Sequence, residues 1–269
     1  MIKPTLVIQD LSAVSQISLT VAIAIFQALD LPIAVAPSTL LSTQTEGFGK
    51  PVSLDTTDWL EKSFRHWQKS QITFNGILVG YLGTVGRINQ LSAWIRANQL
   101  KPVIIDPVMG DAGALYPGLD PAIVSAMQKL CQQADIITPN LTELHFLTGE
   151  NTQDVTKLLK VASKMFGCRV ILTGVKKGQY VNSYLLGAGK DNLTVASSSY
   201  YPGHFFGTGD AFSALLTGWY LKGFSLPMAM QRATKDLQIA VRQTATLSSK
   251  ERKFGLKTAA MLQQILAEG

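Results

Sequence analysis

Residues 102–139 read PVIIDPVMGDAGALYPGLDPAIVSAMQKLCQQADIITP. Pro102–Val108 and Ala134–Pro139 are short, β-branched and almost continuously apolar, the pattern of strands covered on both faces. Pro121–Gln133 lies between them and reads as a helix. Each apolar run meets a proline, Pro107 or Pro139, which cannot donate to a sheet ladder and so breaks the strand. Strand, helix and strand in that order form a βαβ unit, and such units build a mostly parallel sheet.

The alternation extends outward in both directions. Thr5–Asp10, Pro32–Ala36, Gly76–Leu82 and Val170–Val175 read as further buried strands, with helices predicted over Ser15–Leu29, Asp55–Ser70, Arg87–Asn98 and Thr152–Phe166. Tyr180–Leu186 and Leu193–Tyr200, on either side of Gly187-Ala188-Gly189, predict a hairpin at one side of the sheet. The last third reads as helices over Gly207–Lys222, Pro227–Thr246 and Lys257–Ala267. Ser38–Thr57, rich in Ser, Thr and Gly, reads as a long loop, and loops that long in a compact domain are usually functional. No linker, low-complexity tract or internal repeat divides residues 1–269, which read as a single three-layer α/β domain.

Composition narrows the function classes. With 269 residues, 46% hydrophobic and 16% charged, the chain has ample material for a core and no case for disorder. Two cysteines, Cys131 and Cys168, make no disulfide framework and suggest reduced thiols in a cytoplasmic protein. The net charge of +6 contains no block of five basic residues; Lys176-Lys177 and Lys250 with Arg252-Lys253 are the densest patches. Without interleaved aromatics these read as solvated surface, so no nucleic-acid partner is expected. Residues 11–29 carry no charge, but Ser12, Ser15, Gln16, Ser18, Thr20 and Gln27 deny them the apolar character of a membrane span. No signal-peptide pattern opens the chain, and a soluble protein with no membrane partner is expected.

Several catalytic motifs are missing. There is no Gly-x4-Gly-Lys-Ser/Thr phosphate loop, no Gly-x-Gly-x-x-Gly after the first strand and no Gly-x-Ser-x-Gly elbow. His66, His145 and His204 are not spaced as metal ligands. What remains is four polar segments at strand ends or helix starts, where open parallel sheets bind ligands. In Phe206-Gly207-Thr208-Gly209-Asp210 the glycines permit a tight turn with exposed amides at the positive end of a helix. Asp210 there is either an ordinary helix cap or a base beside an anion hole for a phosphoryl group. Asp106-Pro107-Val108-Met109-Gly110-Asp111 offers two carboxylates to hydrated Mg²⁺ or an ammonium group, or is only a turn. Thr138-Pro139-Asn140-Leu141-Thr142-Glu143 is either an Asn-x-x-Glu capping box or a set of hard oxygens of the kind Mg²⁺ prefers. Leu172-Thr173-Gly174 is a strand end placed to meet a nucleotide.

Together, Asp106–Asp111 followed by Gly113 and Leu115-Tyr116, Thr138–Glu143, Leu172–Gly174 and Gly207–Asp210 resemble the ribokinase-like superfamily. Within it they resemble the vitamin B6 kinases that act on pyridoxal, pyridoxine and pyridoxamine. The likeness covers nearly the whole chain and adds Ile8-Gln9-Asp10, Ser42–Thr45 and Gly80-Tyr81. It implies a three-layer α/β/α ribokinase-like fold, a homodimer, and ATP-dependent phosphorylation of the 5′-hydroxymethyl group of a B6 vitamer. By the same resemblance Asp210 is the base and the amides of Gly207, Thr208 and Gly209 form the anion hole. Thr138, Thr173 and Thr208 contact the ATP phosphates or their surroundings. Asn140 and Glu143 organise Mg²⁺ and its waters, with Asp106 and Asp111 nearby. Asp10, Thr45 and Tyr81 hold the ring.

Two segments depart from the pattern. Many members have Ser at Asp10, and His-Thr-Gly where this chain reads Gln44-Thr45-Glu46. Asp10 is open to two readings: a charge-assisted bond to the pyridine nitrogen or 3-hydroxyl, or a preference for the amine of pyridoxamine. The nearest rival activity is hydroxymethylpyrimidine kinase, whose members often carry Cys in place of Asp210. A non-catalytic vitamin-binding or regulatory protein is the alternative of another class, and the intact Gly-Thr-Gly-Asp segment argues against it.

Overall fold

The computed structural model describes residues 3–187 and 192–268. In chain order the elements are β1 (Thr5–Ser12), α1 (Ser18–Ala28), β2 (Ile33–Leu41), β3 (Ser53–Asp55), α2 (Thr57–Lys69), β4 (Ile77–Val79), α3 (Val85–Asn98) and β5 (Val103–Ile105). Then come β6 (Gly110–Asp111), β7 (Ala114–Leu115), α4 (Ile123–Cys131), β8 (Ile136–Ile137), α5 (Leu141–Thr148), α6 (Val155–Phe166) and β9 (Arg169–Lys177). The chain closes with β10 (Tyr180–Leu186), β11 (Leu193–Ser199), α7 (Thr208–Leu221), α8 (Leu226–Thr244), α9 (Ser249–Arg252) and α10 (Ala259–Glu268).

Nine strands form one sheet in the order β11-β10-β9-β8-β5-β4-β1-β2-β3. The six central strands, from β9 to β2, pair in parallel. β3 at one edge and the β10–β11 pair at the other run antiparallel to their neighbours.

Alternate residues of each central strand enter opposite cores, as the pleat requires. Leu6, Ile8, Ile77, Val79, Val103, Ile105, Ile137, Val170 and Leu172 pack with α2 to α6. Val7, Leu78, Ile104, Ile136 and Ile171 pack with α1, α7, α8 and α10. Because both faces are covered, the strands need apolar residues at every position, which is why they were readable. The fold is the three-layer α/β/α arrangement with a mostly parallel sheet expected from the sequence.

Two expectations fail. Leu172-Thr173-Gly174 is not a strand end, because β9 runs on to Lys177 where it pairs with β10. Ser38–Thr57 is not a continuous loop: Ser38–Leu41 prolong β2, and Ser53–Asp55 return as β3 through Thr39↔Asp55, Leu40↔Leu54 and Leu41↔Ser53. Only residues 42–52 lie between these strands. β3 is exposed along its whole length, so no apolar pattern marks it. The expected hairpin is present, but beyond Gly187 its turn lies outside the described residues. The uncharged stretch 11–29 contains α1, an 11-residue helix buried against the sheet. Among the described residues no helix is long and apolar enough to cross a membrane.

Candidate active site

Strand register brings the polar residues to one edge. Ile8, Val79 and Ile105 stand side by side in β1, β4 and β5, and Ile105 pairs with Ile137 in β8. Asp10 and Tyr81 follow two residues past their paired isoleucine and valine; Asp106 and Thr138 follow one residue past theirs. All four therefore sit at the carboxyl ends of parallel strands. A bridge between Asn140 and Thr173, with Thr173 N–H donating to Pro139 C=O at 2.9 Å, carries the edge to β9.

A cleft of about 450 Å³ runs along this edge, within the usual range for small-molecule sites. Every residue proposed from the sequence lines it: Asp10, Thr45, Tyr81, Asp106, Asp111, Thr138, Asn140, Glu143, Thr173, Gly207, Thr208, Gly209 and Asp210. Among the described residues no Lys or Arg side chain does so.

At the start of α7, Asp210 is not the helix cap. The cap of that helix is Gly207, at φ +82, and no side chain caps it. Ala211 N–H is the first to reach back, to Gly207 C=O at 3.0 Å. The amides of Thr208, Gly209 and Asp210 are left without an intrahelical acceptor at the positive end of the helix. Asp210 turns instead to α1: its Oδ2 accepts from Ser18 N–H at 2.9 Å and Ser18 Oγ at 3.2 Å. Burial raises its pKa to about 6, and the charge of Asp10 adds to the rise.

Asp106 is buried beneath the first turn of α7, where its Oδ2 accepts from Ser213 Oγ at 3.1 Å. Burial first, then the nearby Asp210, push its pKa up to about 7. Glu143 and Asn140 do form the capping box of α5: Asn140 N–H donates to Glu143 Oε2, and Glu143 N–H to Asn140 Oδ1, both at 2.9 Å. Glu143 Oε1 also accepts from Met109 N–H at 3.2 Å, and Asn140 Nδ2 donates to Gly110 C=O at 2.9 Å. Glu143 stays buried, its pKa raised by burial and by Asp106. Asp111, on the small β6–β7 hairpin, is exposed. Burial, with the charges of Glu143, Asp111, Glu46 and Asp210, raises the pKa of the Tyr116 phenol, so Tyr116 stays protonated amid the acids.

These groups suit a hydrated divalent cation better than a stripped one. Among the described residues no three or more His, Cys, Asp or Glu side chains converge closely enough to ligate a metal directly. Asp106 and Glu143 are buried acids that accept hydrogen bonds from neutral donors only, and Asn140 and Glu143 already hold backbone partners. Mg²⁺ keeps several of its waters and binds through one or two carboxylates and substrate phosphates, which matches this donor set.

Ser18 was not foreseen. It begins α1 at φ +46, an uncommon conformation for a residue with a side chain, and its partner is 192 positions away. No local pattern marks it. Ser213 gives no local signal either, reading only as a helix residue, and Tyr116 stood in the motif that carries the resemblance without a role of its own.

The family model for phosphomethylpyrimidine kinase matches residues 23–254. The crystal structure of a pyridoxal kinase from Lactobacillus plantarum is 34% identical, with a TM-score of 0.93, over 100% of this chain and 98% of that one. A structure from Bacteroides thetaiotaomicron, described as a phosphomethylpyrimidine kinase homologue and containing pyridoxal, is 31% identical, with a TM-score of 0.91, over 98% and 96%. The hydroxymethylpyrimidine/phosphomethylpyrimidine kinase of Haemophilus influenzae is 32% identical over 61% of this chain and 63% of its own length. The chain spans 24% to 63% of the length of the first curated relatives it matches.

Proposed function

Because the chain belongs to the phosphomethylpyrimidine kinase family of ribokinase-like kinases, we propose that it transfers the γ-phosphoryl group of ATP to the 5′-hydroxymethyl group of a B6 vitamer. The observation that carries this reading is the Asp210 carboxyl on the cleft wall beside the unpaired amides of Thr208 and Gly209. A helix cap would have turned that carboxyl onto its own helix. Here it points away, to Ser18, and faces the cleft.

In the proposed step the substrate hydroxyl attacks phosphorus as Asp210 takes its proton. One O–P bond forms, the bond between the γ-phosphorus and the bridging oxygen breaks, and ADP leaves. Such transfers gain little from covalent chemistry; positioning and charge stabilisation supply most of the acceleration. The amides at the start of α7 face the charge on the transferred group, with Thr208 at the same turn. Thr138 and Thr173 line the phosphate side. Phe212, Leu237 and Val241 add an apolar wall suited to a purine base. Mg²⁺, when bound, neutralises phosphate charge; Glu143 and Asn140 would hold its waters, with Asp106 and Asp111 on the same side. Thr45 and Tyr81 face the ring.

A second activity, on hydroxymethylpyrimidine, is favoured by the family description and the Haemophilus influenzae relative. Asp210 stands where those kinases often have Cys, which favours the B6 reading. An ADP-release assay with pyridoxal, pyridoxine, pyridoxamine, hydroxymethylpyrimidine and ribose side by side tests both. We expect turnover of B6 vitamers above the rest. Turnover of hydroxymethylpyrimidine alone would transfer the assignment to that substrate, and turnover of none would leave a binding protein.

A further inference from the structure

Asp10 is only 4% exposed, yet it stands on the cleft wall. Its Oδ2 accepts from Ser12 Oγ at 2.9 Å. Ser18, whose hydroxyl donates to Asp210 at 3.2 Å, also eases the charge of Asp10. The two acids stand close enough on the cleft wall for the charge of Asp10 to raise the pKa of Asp210. Ser12 and Ser18 bring only neutral dipoles, and no Lys or Arg side chain lines the cleft among the described residues. Buried carboxylates without a counter-charge are costly, and a ligand that brings positive charge relieves that cost.

Resting on the reading of Asp210 as the base for a hydroxymethyl group, we propose that Asp10 forms a subsite for a protonated amine carried on the neighbouring ring atom. On a B6 ring, the carbon bearing the hydroxymethyl group has one neighbour with hydrogen only and one with a polar substituent. A carboxylate held beside Asp210 meets that substituent. In pyridoxamine it is an aminomethyl group, whose ammonium donates hydrogen bonds and cancels charge. In pyridoxine it is a second hydroxymethyl group, whose hydroxyl donates without cancelling charge. In pyridoxal it is an aldehyde, whose oxygen turns lone pairs toward the carboxylate. The order of preference is therefore pyridoxamine, pyridoxine, pyridoxal. A serine at this position would not enforce that order.

The test compares wild type with Asp10→Asn, which keeps the shape, and Asp10→Ser. Hydrogen bonds to charged groups are worth enough to predict a roughly 10- to 100-fold loss of pyridoxamine kcat/KM in both variants, mostly in KM. Pyridoxine should change less than about threefold in Asp10→Asn, since the amide oxygen can still accept from its neutral hydroxyl. Calorimetric binding of pyridoxamine and pyridoxine without ATP reads the same ratio independently of turnover. An unchanged binding ratio in the Asn variant, or equal losses for both ligands, overturns the proposal. A shifted ratio in a protein that phosphorylates neither ligand would uphold the amine subsite and instead refute the kinase reading. Melting curves check that each variant folds, and Asp10→Asn carries the test if Asp10→Ser does not.

Discussion

Asp210 commits one oxygen to Ser18, through an amide and a hydroxyl, which leaves the other for an incoming alcohol. With its pKa at about 6, raised by burial and then by Asp10, it is mostly ionised at pH 7 yet basic enough to accept a proton. Activity should therefore rise with pH through about 6 and level above it; a pH profile of kcat/KM that is flat from 5 to 8 would remove this residue from the base role. Asp210→Asn should lower kcat by roughly 10²- to 10⁴-fold, the usual contribution of general-base catalysis. ATP affinity, measured by calorimetry, should stay near wild type. Glu143 poses a different question, because its capping bonds explain its presence without any metal. Glu143→Gln keeps most of those bonds but removes the charge, so the Mg²⁺ concentration for half-maximal activity should rise. An unchanged titration would leave Glu143 a helix cap alone.

At the next scale the first turn of α7 is held by a contact with the residue before α1. A Cβ on Gly207 would lie 2.7 Å from Ile17 Cγ2, at a φ of +82 that side chains rarely adopt. Gly207→Ala must push the two helix starts apart, and the strain amounts to about 1–3 kcal/mol. Melting by calorimetry should fall by several degrees, and ADP release should fall further than stability alone explains, since Ser18 and the amides would lose register. Equal activity with unchanged melting would mean that this junction tolerates displacement. The same contact shows where sequence reading stops. Central strands such as Val103–Ile105 were legible because burial on both faces makes them apolar throughout, and the Asp106-Pro107 and Thr138-Pro139 steps marked where polar residues emerge. β3, exposed on both sides, and the extension of β2 through Ser38–Leu41 lack that signal. The basic residues Arg252 and Lys253 read as solvated surface, yet Arg252 Nη1 donates to Pro202 C=O at 2.9 Å and Lys253 Nζ to Gly47 C=O at 2.8 Å. Those bonds tie loops bordering the cleft to the α9 turn, and only the assembled chain reveals them. Ser18 was hidden more deeply, since its role comes from a rare backbone angle and a partner in the last third of the sequence.

Across the whole molecule the site is assembled at the expense of stability. Two well-filled cores sandwich the sheet, and along its carboxyl edge the fold gathers Asp10, Asp106, Glu143 and Asp210, each with its pKa raised by burial. An acid raised in the folded state binds its proton there more tightly than in the unfolded chain. Folding therefore incurs no cost from it below pH 4, an increasing cost as the unfolded group ionises, and a constant cost once the folded group has ionised too. For Asp106 that window runs from the ordinary carboxylate range to about 7. Asp106→Asn removes the charge while its amide oxygen can still accept from Ser213. The variant should melt higher than wild type at pH 8, by a margin on the order of a few kcal/mol. The margin should shrink as pH falls from 7 and vanish near pH 4. Paired melting curves across that range measure it, and a margin independent of pH would show that packing rather than ionisation sets the difference. The same substitution should weaken catalysis, because the charge that destabilises the empty fold is the one a phosphate-bound cation would neutralise. Adding Mg²⁺ with ADP should accordingly raise the wild-type melting temperature at pH 8 more than that of Asp106→Asn.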